Sequence, residues 1–314
     1  MAFGSKPSED GNAMTTDGAY RLHKFHAVDP PEKAWKQFST LFDLTPLKMS
    51  DNAGAIESHS WVAGACVFAQ VSLDGNAHKH TEHHLSKSGD LLFVHRYLLG
   101  GADGRSGNAP YRMRPGMMIF HDYGRPFEGI QTPSVIQSVY IPHAMIGYSP
   151  EQMPPQITYD QHSPHGAALF AAFESLIPEL LNGADFLEKE RSKYFVDLVR
   201  AALPQADAPK PLSAKLQLHI EDRLSDPDLN VEALQAAFQL SKAQVFEEME
   251  LHGGFDTYLT SRRVYRAVFE LSDQPSNREN LGAAASRWGF ASEADLKRAV
   301  AMQYRADIET MFDA

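Results

Sequence analysis

Histidine and carboxylate side chains are concentrated in one short segment of the first half of the chain. The segment reads His78-x-His80-x-Glu82-His83-His84, and His121 follows later. In a strand His78, His80 and Glu82 would share a face, and imidazole and carboxylate groups bind zinc, so a weak metal site with His121 is one interpretation. Only one residue separates His80 from Glu82, which is fewer than in the usual metal site made of histidines and a glutamate. We therefore favour surface histidines and predict no metal and no other cofactor.

Motifs of the common catalytic classes are absent from the sequence. It has no Gly-x-Ser-x-Gly elbow, no phosphate-binding loop, no dinucleotide fingerprint after a strand and no His-Glu-x-x-His. The one cysteine, Cys66, lies in an apolar stretch, where a buried thiol is usually an inert small hydrophobic group. Any catalytic activity would have to come from the histidine segment and His121, so the sequence favours a protein that is not an enzyme.

A different pattern occurs twice in the last hundred residues. The first copy reads Val231-x-x-Leu234, Leu240-Ser241 and Val245-x-x-x-Met249; the second reads Leu281-x-x-Ala284-Ala285, Gly289-Phe290-x-Ser292 and Leu296-x-x-x-Val300. Each copy predicts a short helix, a tight turn and a second helix that begins at a serine N-cap. This is the helix-turn-helix arrangement, whose second helix can lie in a major groove of DNA. A long helix at Phe255–Leu271 would join the two units and place their second helices at successive grooves.

The whole segment after residue 212 is predicted to be helical. The helices are expected at Ser213–Leu224, Val231–Phe238, Lys242–His252, Phe255–Leu271, Arg278–Arg287 and Glu293–Gln303. Before them, Leu203–Leu212 contains Pro204, Pro209 and Pro211, which disfavour a continuous helix and predict a semi-rigid linker.

Residues 213–314 resemble the tandem helix-turn-helix domain of the AraC/XylS family of transcriptional regulators. The resemblance is carried by Asp226-Pro227-x-Leu229, Leu240-Ser241, Gly254-Phe255-x-x-Tyr258-Leu259, Arg263-Val264-x-x-Ala267 and Gly289-Phe290-x-Ser292 with Arg298. It implies double-stranded DNA as the partner and leaves RNA polymerase open as a further one. The DNA-binding residues that it implies are Ser241, Lys242, Gln244, Phe246, Glu247, Arg262, Arg266, Ser292, Lys297 and Arg298. For Arg262 and Arg266, a solvated helix face with ion pairs along the helix is an equal alternative.

The same segment departs from the family in its charge. Glu247, Glu248 and Glu250 lie on the first recognition helix, where family members usually carry a basic residue in place of Glu247. Between Lys210 and Ala314 there are 12 basic and 17 acidic residues. A glutamate can accept a hydrogen bond from cytosine, but three carboxylates oppose a close approach to phosphate. The alternative is therefore a protein derived from such a regulator that binds DNA poorly and acts through protein interactions.

The first half of the chain has the pattern of a β domain. Strands are expected near Ser60–Ser72, Leu91–Leu98, Tyr111–Phe120 and Val135–Ile141, and turn residues occupy 73–76, 100–104 and 122–126. Several short strands between such turns favour a sandwich or small barrel. In its order and turns this half is similar to the cupin-like sensing domain of many family members, which implies a small-molecule effector inside it. The candidate ligand-binding residues are His95, Tyr97, Arg112, Phe120 and His121.

Two amphipathic helices are predicted after the strands. Leu169, Phe173, Leu176 and Leu180 are three or four residues apart, as are Phe195, Leu198 and Val199. Such a pair can cap the β domain or associate with a second subunit, and we predict a homodimer that uses these apolar faces.

Composition agrees with a folded protein of more than one domain. The chain has 314 residues, 43% hydrophobic and 22% charged, with a net charge of −11, which excludes disorder, collagen and coiled coil as global descriptions. No signal-peptide pattern is present, and the most apolar stretch, Trp61–Ala69, is too short to span a bilayer, so we expect a cytoplasmic protein without membrane partners.

The predicted fold is a multidomain α+β protein in four parts. These are a flexible tail (1–19), a cupin-like sensing and dimerisation domain with its helical pair (20–202), the proline-rich linker (203–212) and an all-α tandem helix-turn-helix domain (213–314). The effector, the operator and the sign of regulation, activator or repressor, do not follow from the residues.

Overall fold

The computed structural model describes residues 18–29, 41–51, 54–88, 91–147, 154–203, 212–273, 276, 278 and 280–313. A β-rich part extends to residue 203, and an all-helical part begins at residue 212. The expected α+β architecture, with strands first and helices last, is confirmed. Most of the predicted tail (1–17) and linker (204–211) lies outside the described residues.

The strands are β1 (Ala19–Arg21), β2 (His23–Asp29), β3 (Asp43–Pro46), β4 (Ile56–Ala63), β5 (Cys66–Leu73), β6 (Asn76–His80), β7 (Leu91–Leu99), β8 (Ala102–Ser106), β9 (Ala109–Met113), β10 (Met117–Asp122), β11 (Phe127–Gln131), β12 (Ser134–Pro142), β13 (Gln156–Asp160) and β14 (Phe186–Glu188). The helices are α1 (Glu82–Ser88), α2 (His143–Ile146), α3 (Pro164–Leu181), α4 (Lys189–Ala202), α5 (Leu212–Glu221), α6 (Val231–Phe238), α7 (Lys242–Met249), α8 (Phe255–Asp273), α9 (Leu281–Arg287) and α10 (Glu293–Tyr304).

Two antiparallel sheets face each other in the β-rich part. The larger has the order β13-β10-β7-β12-β5-β4-β2, the smaller has the order β3-β6-β11-β8-β9, and β1 pairs with β14. Tyr97, Ile119 and Ile136 of the larger sheet pack with Tyr111 and Met113 of the smaller one. The two sheets therefore form a sandwich with side chains between them.

Central strands of the larger sheet are buried on both faces. On β7, Leu92 and Val94 belong to the core beneath helices α3 and α4, whereas Phe93, His95 and Tyr97 point between the sheets. This follows from the period of two along a strand. It also explains why β7 reads as a nearly continuous apolar run instead of an alternating one.

Helices α3 and α4 cover the outer face of the larger sheet. Their apolar residues Leu169, Phe173, Leu176, Leu180, Phe195 and Val199 are buried in one core with strand residues such as Phe68 and Val139. Of the two alternatives for this helical pair, capping of the β domain is the one observed. The homodimer stays a prediction, and these faces no longer support it because the chain buries them itself.

Two strand predictions and one turn prediction need correction. Ser60–Ser72 is a hairpin, because Gly64 has φ +62° and turns the chain between β4 and β5. Tyr111–Phe120 is split by the turn at Arg114–Gly116, and the expected turn at 100–104 is short, since β8 begins at Ala102. Turn residues within apolar runs account for these differences.

Helices of the all-helical part begin and end within a few residues of the predicted positions. The side-chain oxygens of Ser241 and Ser292 each accept a hydrogen bond from a backbone N–H three residues on, at 3.2 Å, so both are N-caps as expected. Asn230 and Asn280 cap α6 and α9 in the same way. Within the described ranges, every helix is too short or too polar to span a membrane.

Candidate functional site

A cavity of ≈ 80 Å³ lies between the two sheets. His95 and Tyr97 reach it from β7, His121 from β10, His78 from β6 and Tyr111 from β9. Three of the five predicted ligand-binding residues, His95, Tyr97 and His121, therefore line one space. Phe42, Phe93, Phe127 and Tyr140 add aromatic walls, and the described lining includes no lysine, arginine, aspartate or glutamate.

The cavity histidines are uncharged at neutral pH. Burial lowers the pKa of His78 to about 4 and that of His95 to about 3, and burial also lowers the pKa of His121 well below its ordinary value. Neighbouring imidazoles add to the effect at His95 and His121, since like charges would meet there. The wall consequently presents neutral donors and acceptors and no compensating charge for an ionised ligand.

Four polar atoms of the cavity residues lack a hydrogen-bond partner within the described structure. They are Oδ1 of Asn76, Nε2 of Gln131, Nδ1 of His95 and Nδ1 of His121, and all four are buried. Buried polar groups are nearly always hydrogen-bonded, so unpaired ones around a cavity indicate a place for a polar ligand or ordered water.

Arg112 and Phe120 do not line this cavity, so the ligand-binding role of these two residues stays a prediction without support from it. Phe120 alternates with His121 on β10 and therefore packs on the opposite face, in the core beneath α3 and α4. Arg112 points away from the sandwich: its Nε lies 3.6 Å from Asp103 and its Nη1 donates to the carbonyl of His252 at 3.3 Å. Residue type alone does not determine which face of the sheet each strand residue takes.

The histidine segment is also corrected, because His80 and His84 are buried and are not surface residues. His80 places its two ring nitrogens 2.7 Å from the carbonyl of Leu41 and 3.0 Å from that of Tyr123. Glu82 is exposed at the start of α1 and does not converge with His78 and His80. His80 is thus a structural residue, and His78 lines the cavity.

The thiol of Cys66 is buried in β5, and burial raises its pKa to about 11. At neutral pH it is protonated, and a protonated thiol is a poor nucleophile. Its Sγ lies 3.7 Å from Sδ of Met145, so its contacts are those of a core residue.

Tyr111 joins the cavity to the helical part. Its hydroxyl donates to the carbonyl of Glu128 and lies 3.1 Å from Nε2 of His78, while its own carbonyl accepts from Nη1 of Arg262 at 2.9 Å. The side chain lies on Gly104 and Gly129, which pair directly across β8 and β11. A Cβ at either glycine would overlap the Tyr111 side chain.

Arg262 is a contact between the two parts of the chain and is not exposed in this conformation, so its role in DNA binding stays a prediction that the structure does not support. Its side chain is fully buried, forms two hydrogen bonds with the carboxylate of Glu221 at 2.5 and 3.2 Å, and stacks over the ring of Tyr265 at 4.5 Å. A guanidinium held by a carboxylate and a carbonyl has few donors left for a phosphate.

Further charged contacts surround Arg262. Asp103, 1% exposed, accepts from Arg114 at 2.9 Å, from Gln303 at 3.0 Å and from Ser261 at 3.3 Å, so one carboxylate binds the turn after β9, α8 and α10 to β8. Arg266, another predicted DNA contact, lies 3.4 Å from the carboxylate of Glu128 and stacks over Trp288. We name Arg262, Arg266, Glu221, Glu128 and Asp103 the domain clamp. Sequence analysis missed it, because residues so far apart in the chain give no local pattern.

The first recognition helix, α7, presents its first turn to solvent. Ser241, Lys242, Gln244, Phe246 and Glu247 are all exposed. Ser241 and Gln244 form a reciprocal capping box, and the ammonium of Lys242 lies 5.8 Å from the Phe246 ring centroid. These five predicted residues, including the acidic Glu247, therefore lie on one accessible surface.

The second recognition helix, α10, carries its basic residues in ion pairs. Lys297 lies 2.8 Å from Glu293 and 2.7 Å from Glu309, and Arg298 lies 2.9 Å from Asp295. Ser292 donates to Asp295 in addition to capping the helix. The predicted cations are accessible, but each already has a carboxylate partner, which a phosphate would have to replace.

Comparison with solved structures identifies the fold. The AraC-like transcriptional activator CuxR superposes on 80% of this chain and 98% of its own, with a TM-score of 0.51 and 18% identity. ToxT from Vibrio cholerae O395 covers 76% of this chain and 96% of its own at a TM-score of 0.34 and 11% identity, too distant to support an argument. No protein-family model and no curated protein sequence matches the chain. The chain therefore has the two-part fold of an AraC-like regulator.

Proposed function

We propose that this protein is a DNA-binding transcriptional regulator of the AraC/XylS type. One observation carries the proposal: α6–α7 and α9–α10 are two helix-turn-helix units joined by α8, and the first turns of α7 and α10 are exposed. A helix of this kind contacts base edges through its N-terminal residues. The fold shared with an AraC-like activator supports the same function. Such a regulator would act on double-stranded DNA in the cytoplasm, with RNA polymerase as a further partner.

The effector would bind in the cavity between the sheets. Its aromatic wall, neutral imidazoles and unpaired amide and imidazole atoms favour a small, planar, uncharged molecule with both donors and acceptors. A carboxylate or phosphate would lose its hydration without gaining a cation, which is costly in a buried site. His95, Tyr97 and His121 are the predicted residues that take part, and His78, Tyr111, Asn76 and Gln131 join them.

The domain clamp offers a route from the effector to DNA. A ligand beside the Tyr111 hydroxyl would displace the side chain of Tyr111, and the backbone carbonyl of the same residue holds Arg262. The hydroxyl also donates to the backbone carbonyl of Glu128, whose carboxylate pairs with Arg266. A ligand can shift the domain arrangement only if it binds the two arrangements with different affinity. Opening of the clamp would free the guanidinium groups of Arg262 and Arg266 for other partners.

The test is binding of the full chain to its own upstream DNA, followed by fluorescence anisotropy at low and moderate salt with random duplex as competitor. We expect binding that survives the competitor and weakens steeply as salt rises, because phosphate contacts release counterions. Lys242→Ala should weaken binding and lower the salt slope by about one. Lys215→Ala is the matched control, since Lys215 is exposed on α5, outside the two helix-turn-helix units. Absence of binding at low salt would refute the proposal.

The acidic surface supports a second candidate, a regulator-derived protein that acts through protein interactions. Exposed Glu247 and the paired cations Lys297 and Arg298 favour it. In that case the native chain should not bind duplex at any salt, whereas Glu247→Lys should produce salt-sensitive binding. The two candidates therefore differ in the behaviour of the native chain in one assay.

A further inference from the structure

Two histidines and a glutamate meet at the edge of the larger sheet, away from the cavity. His26 on the edge strand β2 lies directly opposite His59 on β4, and Glu57 is two residues before His59. Residues opposite each other, and residues two apart on one strand, share a face of the sheet. The strand register thus fixes three side chains on one side of a single strand pair.

The three ligand atoms already converge. Nε2 of His26 lies 3.4 Å and Nε2 of His59 lies 3.2 Å from Oε1 of Glu57, and all three atoms lie within 4.8 Å of one another. The two imidazole rings are stacked, with centroids 4.2 Å apart and 16° between their planes. Their hydrogen bonds to the carboxylate, first that of His59 and then that of His26, lower the pKa of Glu57 and keep it ionised.

The two separations between the carboxylate oxygen and the imidazole nitrogens are compatible with tetrahedral coordination of a metal. A metal with bonds of about 2.05 Å to nitrogen and oxygen has ligand atoms about 3.3 Å apart if it is tetrahedral, and about 2.9 Å apart for neighbouring positions of an octahedron. The observed 3.4 and 3.2 Å bracket the tetrahedral value. Two imidazoles, one carboxylate and tetrahedral geometry are the preferences of zinc.

We propose that His26, His59 and Glu57 bind one Zn²⁺, with water in the fourth position. The side chains are reachable from solvent, at 54%, 33% and 51% exposed, so the ion needs no opening of the fold to enter. His59 also stacks on Trp61, which is 4% exposed and holds the imidazole from the core side. The bound ion would fasten the edge strand β2 to β4.

The experiment measures zinc bound by the full chain, without an affinity tag, after treatment with chelator. Equilibrium dialysis against micromolar ZnCl₂ with metal analysis gives the stoichiometry, and the absorption of the Co²⁺-substituted protein distinguishes tetrahedral from octahedral coordination. We expect one ion per chain, and at least tenfold weaker binding for Glu57→Gln, His26→Ala and His59→Ala. Because zinc binds deprotonated imidazole, binding should also weaken as the solution is acidified.

His23→Ala is the matched control, since His23 is exposed on the same strand and points to the other face. It should bind zinc as the native chain does. The substituted side chains are 33% to 54% exposed, so each variant should keep its thermal transition in the absence of zinc, while only the native chain and the control gain stability when zinc is added. A native chain that binds no zinc, or variants of the three residues that keep its full affinity, would overturn the proposal.

Discussion

Replacement of Arg262 by methionine separates a structural role from a DNA contact. The guanidinium is fully buried between Glu221, the carbonyl of Tyr111 and the ring of Tyr265. Its removal leaves the Glu221 carboxylate, only 10% exposed, without its cation. Removing one partner of a buried pair usually costs about 3–5 kcal/mol, because the remaining charge has lost its water and gained nothing. We expect a loss of that size in the free energy of unfolding.

Urea unfolding followed by tryptophan fluorescence measures the change, with circular dichroism as a second probe of whether the transition is two-state. Arg298→Met is the control, because Arg298 is 69% exposed with one ion pair, which is worth about 0–1 kcal/mol. Adding Glu221→Leu to Arg262→Met should recover most of the lost stability, since no buried charge is then unpaired.

The opposite result is equally informative. The free energy of unfolding of Arg262→Met could instead lie within about 1 kcal/mol of the native value, while its DNA binding loses salt dependence. In that case the clamp contributes little to stability, and Arg262 is a phosphate contact. A loss of stability in Arg262→Met that the second substitution does not repair would show that the cost comes from packing and not from the unpaired carboxylate.

Three further predictions concern charge, pH and backbone. Asp103→Ala should cost about 1–3 kcal/mol because Arg112, 17% exposed, and Gln303 lose a buried acceptor, and hydrogen exchange should show β8 and α10 loosening together, whereas Asp295→Ala should not have this effect. Burial holds the pKa of His95 at about 3, so the stabilisation from its neutral form should be fully present above about pH 6.5. The free energy of unfolding should fall as the pH drops below that value, because the unfolded chain takes up the proton first. His95→Gln should reduce the slope of the free energy of unfolding, measured in urea, against pH by about 1.4 kcal/mol per pH unit. Gly289→Ala should lower the melting temperature, since φ is +73° there and a Cβ would meet the Arg263 guanidinium, while Gly282→Ala, in open helix, should not.

The sequence predicted the helical part far better than the β part. Helical spacing and serine caps are local signals, and α6 begins at Val231 and ends at Phe238 as expected. In the β part, β6 and β11 were missed, since each is only five residues long, has no strong pattern of its own and forms through pairing with the other.

Prediction of the candidate site was limited by the faces of strands. His121 and Phe120 are neighbours in the sequence and lie on opposite sides of one sheet, and residue type alone does not tell which points inward. The clamp residue Arg262 shows a second limit. An arginine on a helix of a helix-turn-helix domain has the same sequence context whether it faces a phosphate or a distant carboxylate, and only the packing of the two parts decides.

Gly104 and Gly129 have a consequence for how this protein can change during evolution. Neither carries a functional group, yet together they form the floor on which Tyr111 lies, and a methyl group at either would push that ring towards the cavity and pull on the carbonyl that holds Arg262. Variation at these positions would therefore be removed by selection for two reasons at once, ligand fit and domain packing. Drift toward a new effector should be found among the other cavity residues, while this pair of glycines stays unchanged.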